Sequence, residues 1–130
     1  MGQIVTTAGK GLILNRTFLD TPTISATTRF KVGTGTTAPA LADTDLETPV
    51  SIDGDNWKDF VSGFPTLDVP SLSATTRMFL NTLEANGNNL TEVGSFNTDG
   101  TPVMFTRSTF TPIAKTSSIE VTFIEKDKVV

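Results

Sequence analysis

Two octapeptides, PTISATTR at Pro22–Arg29 and PSLSATTR at Pro70–Arg77, differ only by Thr23 against Ser71 and Ile24 against Leu72. Both alternate. Ile24, Ala26, Thr28, Phe30 and Val32 point one way, and Ser25, Thr27, Arg29 and Lys31 the other. In the second copy Leu72, Ala74, Thr76, Met78 and Leu80 oppose Ser71, Ser73, Thr75 and Arg77. A period of two marks a strand with one buried face, and proline is tolerated at a strand's first position. The phrases therefore predict two equivalent half-buried strands. Chemistry would need Ser25 and Ser73 as nucleophiles with Arg29 and Arg77 as anion clamps, and no base lies nearby in sequence.

The rest of the chain supports β structure. Threonine is common, and its β-branched side chain suits a pleated surface. Residues 1–11, which end in Gly-Lys-Gly, read as a flexible N-terminal arm, and GLILNRTFLD after them as a strand. Thr44 and Glu47 have capping-box spacing, which predicts a short helical turn near 44–48 before Pro49. Asp53-Gly54 marks a tight turn. Trp57, Phe60, Val61 and Phe64 fit either one helical turn or a buried edge. Asn86-Gly87 signals a hairpin, LTEVGSF a strand, residues 97–100 a turn and VMFTRSTF the next strand. Residues 112–118 read as irregular, and Ile119, Val121 and Phe123 share a face of the last strand. About seven short strands at regular spacing predict an all-β, antiparallel β-sandwich of jelly-roll-like type. Residues 12–130 would form its single domain.

Composition removes much chemistry. The 130 residues include no histidine, cysteine or tyrosine, which excludes His-based triads, cysteine nucleophiles and Cys/His zinc sites. The expectation is a protein that is not an enzyme and carries no cofactor. A carboxylate-dependent glycosidase is the surviving catalytic alternative, with Asp53, Asp55, Glu84, Glu92 and Asp99 as its candidate acids. The net charge of −4 has no basic stripe, so nucleic acid is not an expected partner. No apolar run approaches a membrane span, and no secretion signal is evident. MGQIVT fits a myristoylation pattern, but no basic cluster supplies the second membrane signal, so no membrane anchor is expected.

Asp53 and Asp55 are weak calcium candidates, with turn-capping as their ordinary role. GTGTT, comprising Gly33, Thr34, Gly35, Thr36 and Thr37, lacks the ending of a phosphate loop and reads as a flexible loop able to order against neighbours. Glu92 shares a predicted face with Leu90 and Phe96. A buried carboxylate needs a partner, and Arg107 on the next strand is the first candidate for an ion pair that fixes register. Trp57, with Phe60, could stack on sugar in a carbohydrate-binding module contacting a host surface. The commoner role of both aromatics is core packing.

Residues 84–100 (EANGNNLTEVGSFNTDG) and 104–123 (MFTRSTFTPIAKTSSIEVTF) resemble a recurring module of small structural proteins of tailed bacteriophages. VGTGTTAPALADTDLETPV at 32–50 resembles the same proteins, in which a G-T-G-T-x-x-P loop precedes a D-T-x-L-E stretch. At Ser95 the pattern has a larger apolar residue. The resemblance implies a non-enzymatic virion component of the tail, baseplate or tail fibre, made in the bacterial host cytoplasm. Other virion proteins would be its partners and a symmetric homo-oligomer its assembly. A head-associated decoration or collar protein is the alternative.

Overall fold

The second repeat copy is a strand and the first is not. The computed structural model describes residues 2–130, so Met1 of the expected arm lies outside the described residues. Among them are β1 Gly2–Val5, α1 Thr7–Phe18, β2 Arg29–Gly33, β3 Lys58–Asp59, β4 Thr66–Asp68, β5 Ser73–Leu80, β6 Asn88–Phe96, β7 Met104–Lys115 and β8 Val121–Lys128. β5 pairs along its whole length with β8, from Ser73 opposite Lys128 to Leu80 opposite Val121. The first phrase gives its backbone groups to side chains instead. The amides of Thr23 and Ile24 donate to the Asn15 side chain, Arg16 donates to the Ile24 carbonyl, and the Ser25 amide donates to Asp99. A backbone satisfied by side chains has no need of a ladder, and backbone pairing starts only at Thr28, whose amide donates to the Phe96 carbonyl.

The strands form two antiparallel sheets, one ordered β1-β7-β6-β2-β3 and the other β4-β5-β8, in an all-β, sandwich-like fold. Phe30 and Val32 of β2, Leu90 and Val93 of β6, Met78 and Leu80 of β5, and Val121 of β8 meet between them. Ile52, Phe60 and Ala85 join this core from connecting segments. A second cluster of Leu46, Phe96 and Met104, with Trp57 against it, packs separately.

Four further expectations need correction. The arm is ordered structure: β1 pairs with β7, from Gly2 opposite Thr109 to Val5 opposite Thr106. The segment read as a strand after it belongs to α1, whose N-cap Thr6 is buried and accepts from the Gly9 amide at 2.9 Å. Gly9 looks like a breaker in sequence, yet it is where the helix meets the sheet. A Cβ there would collide with the Phe105 backbone. Residues 44–48 bend without forming a helix, because the Glu47 and Thr48 amides donate to Glu92. Asn86-Gly87 does not close a hairpin, since β5 and β6 lie in different sheets. Gly87 donates to the Lys115 carbonyl and Ala85 to the Ile52 carbonyl, so the turn is a crossover.

β7 runs on to Lys115 through Pro112, within the stretch read as irregular. β1 covers β7 only at residues 106–109. Beyond that point β7 has a free edge, where proline is tolerated. Gly11 lies inside α1 with open space where a Cβ would go. Gly11→Ala is expected to stabilise the protein by roughly 0.5–1 kcal/mol, read as a raised denaturant midpoint at unchanged slope.

Candidate functional site

Glu92 is fully buried on β6, opposite Gly33 of β2 and Thr109 of β7. Its expected face-mate Leu90 lies in the intersheet core. A register irregularity lies between Leu90 and Glu92, where β6 advances two residues while β7 advances four, and the alternation breaks there. Glu92 therefore lies on the opposite face, with Gly94 and Phe96. A segment from residue 34 onward covers this face.

The carboxylate is saturated with donors. Oε1 accepts from the amides of Gly35 at 3.1 Å and Thr48 at 2.8 Å, and Oε2 from the Glu47 amide at 3.0 Å. Arg107, 2% exposed, donates to Oε2 through Nε at 3.0 Å and Nη2 at 2.9 Å. Its remaining donors go to Asp43 at 3.0 Å and the Thr37 carbonyl at 3.0 Å. Thr91 adds a hydrogen bond to the Gly35 carbonyl. Glu47 accepts from the Thr37 amide. Hydrogen bonding from Thr37, with a smaller contribution from the Arg107 charge, holds the Glu47 carboxyl below the usual carboxylate range.

Gly33 and Gly35 follow from this geometry. A Cβ on Gly33 would run into the Glu92 carboxylate and the Thr48 carbonyl, and one on Gly35 into Glu92 and Glu47. The stretch Gly33, Thr34, Gly35, Thr36 and Thr37 is consequently not the adaptable loop its composition suggests. Gly33 ends β2, Gly35 is buried, and both ends of the loop are fixed by Glu92 and Arg107. With all its close partners supplied by the fold, Glu92 has no role as a free base. The arrangement is an anchor.

Trp57 is not an open stacking platform. The Arg29 guanidinium lies 3.6 Å from its ring centroid, the Lys31 ammonium lies 4.2 Å away, and Phe96 meets it edge-on. Lys31 in turn pairs with Asp45 at 3.1 Å. Phe60 is core. Asp55 accepts from the Asn56 amide, a turn-capping contact, and Asp53 is exposed. Among the described residues no three acidic, His or Cys groups gather as metal ligands.

The candidate acids are dispersed in structural contacts. Glu84 pairs with Lys58 at 2.6 Å and accepts from the Asn81 amide. Asp99 accepts from Ser25 and Asn97, and these bonds, the Ser25 one foremost, hold its carboxyl low.

Sequence reasoning missed a different pair, Glu125 and Asp127 on β8. Glu125 is 7% exposed and its Oε1 has no hydrogen-bond partner. Burial, reinforced by the Asp127 charge, pushes its carboxyl up to about 8. Burial also raises Asp127, which the Gln3 side chain approaches at 3.4 Å. Nearby Ser95 is buried and hydrogen-bonded to Thr106. The signal was present in VTFIEKDK: the face of Val121 and Phe123 continues through Glu125 to Asp127.

No helix among the described residues is long and apolar enough to cross a membrane. No protein-family model, curated protein or solved structure matches the chain.

Two predictions follow from these carboxylates. Glu92→Gln and Arg107→Gln are each expected to cost roughly 3–5 kcal/mol, because each leaves a buried partner uncompensated. The double variant should cost less than the sum by about 1–3 kcal/mol. Additive losses in denaturant melts would remove the coupling. Glu125 sets a pH dependence. The unfolded chain releases this proton above about 4.5, while the folded chain keeps it to about 8. The folded state binds more protons in that window, so stability should fall as pH rises through it, by on the order of a few kcal/mol. Thermal melts from pH 5 to 8 should show the decline, and Glu125→Gln should flatten it.

Proposed function

We propose that the chain is a non-enzymatic structural component of a tailed-bacteriophage virion, built into the tail, baseplate or tail fibre. The observation that carries this reading is the convergence of the three segments that resemble phage structural proteins. Residues 84–100 and 104–123 contain β6 and β7, which pair. Residues 32–50 fold over them and are tied down by Glu92 and Arg107. Segments distant in sequence thus form one packed unit, which supports their descent as one module.

The chemistry points the same way. The acids singled out for catalysis cap amides, pair with cations or stand alone in turns, and there is no histidine or cysteine to assist them. Among the exposed large apolar side chains, two groups lie close together in sequence. Leu14 and Phe18, four residues apart on α1, are 59% and 76% exposed. Leu67, Val69 and Leu72 on and after β4 are exposed as well. Neighbouring subunits in an assembly would cover such groups, in a symmetric homo-oligomer that also contacts other virion proteins.

Native mass spectrometry of the full chain is expected to give a closed oligomer, with Phe18→Ser shifting it toward monomer. A strictly monomeric species at high concentration that binds no other virion protein would sink the reading.

A further inference from the structure

We propose that the cleft between β7 and β8 binds an aliphatic ammonium group, of the kind a lysine side chain carries, with Glu125 as its receiving residue.

The cleft arises from the strand order. β1 covers β7 only as far as Thr109, and β8 pairs only with β5. Phe110–Lys115 and β8 therefore border an opening where the two sheets part. The resulting cavity measures about 380 Å³, within the range of about 300–1,000 Å³ typical of small-molecule sites. Its walls include Met78, Val93, Phe110, Ile113 and Phe123, and Glu125 supplies its acidic group. Phe110 and Phe123 pack ring to ring, with centroids 5.1 Å apart.

The lining and the buried acid together specify the ligand. Glu125 is 7% exposed and its Oε1 is unpartnered, although a buried polar atom is ordinarily bonded. No lysine or arginine lines the cavity. Asp127, the next residue on the same face of β8, adds a second carboxyl that hydrogen-bonds with Glu125 and that burial also disfavours as an anion. A cation entering here would displace the proton that Glu125 otherwise keeps and pair with the carboxylate left behind. The walls beyond the acid are mainly apolar, which suits an alkyl stem and not a hydrated metal ion needing six or more oxygens. An ammonium on a hydrocarbon chain meets both conditions. The site does not depend on the chain's being a virion component, so the two ideas fail separately.

The test is an NMR titration of the full-length chain with n-pentylammonium, with n-pentanol as the neutral counterpart. Saturable amide shifts at Phe110, Phe123 and Glu125 are expected, with pentylammonium at least tenfold tighter than pentanol. Glu125→Gln, which keeps the shape but cannot ionise, should bring the two affinities together. N-acetyl-lysine methylamide distinguishes the source. Tighter binding than pentylammonium supports a lysine presented by a polypeptide, and weaker binding supports a free amine. Equal affinity for pentanol and pentylammonium in the unaltered protein would overturn the proposal. So would an absence of saturable shifts, or a preference that survives in Glu125→Gln.

Discussion

The burial of the Glu92 carboxylate on the outward face of the large sheet governs how residues 33–48 run. An ionised carboxylate removed from water without partners costs far more than a small domain can bear. Here three backbone amides and one guanidinium meet it. The amides come from a segment distant in sequence, so the chain must pass close over β6 to deliver them. Glycine at 33 and 35 makes that approach sterically open. The same passage places Leu46 over Phe96 and Met104 and Asp45 beside Lys31. The outer face of the large sheet is thus closed by a loop, while the inner face packs on the small sheet. Every residue of β6 from Leu90 to Phe96 is buried as a result.

The repeated phrase shows where local pattern stops deciding structure. Ser73–Leu80 becomes a strand because β4 and β8 flank it. Pro22–Thr27 has nearly the same letters and no strand bonded to it; only at Thr28 does a backbone amide reach Phe96 of β6. Its amides find Asn15 and Asp99 first. Propensity and alternation are the same in both, so what differs is the supply of backbone partners. Strand preference is set largely by that surrounding context.

Legibility followed the range of the interaction. The β6–β7 hairpin was readable because residues 97–100 are a turn between two alternating runs, and a hairpin brings Glu92 near Arg107. The helix at 7–18 was not, because Gly9 and Gly11 mimic breakers, and only the Phe105 backbone explains Gly9. The capping-box letters at Thr44 and Glu47 were misleading for a similar reason. Their local hydrogen bonds lost to Glu92, a residue far along the chain. Glu92 was rightly grouped with Phe96 but wrongly with Leu90, because a strand irregularity leaves no mark in composition.

Glu92 and Glu125 have the same side chain and nearly complete burial, and the fold treats them in opposite ways. Around Glu92 the protein supplies every partner, which makes the site rigid and leaves nothing for a ligand to add. Around Glu125 it supplies an apolar cleft, a second carboxyl and one oxygen without a hydrogen bond. A carboxyl that only holds structure gains by having its bonds completed, and a neutral residue of the same size would remove the penalty altogether. Retaining an acid at a site that burial disfavours makes physical sense where a cation arrives from outside the chain. The unsatisfied carboxyl, more than the satisfied one, therefore marks where this domain meets another molecule.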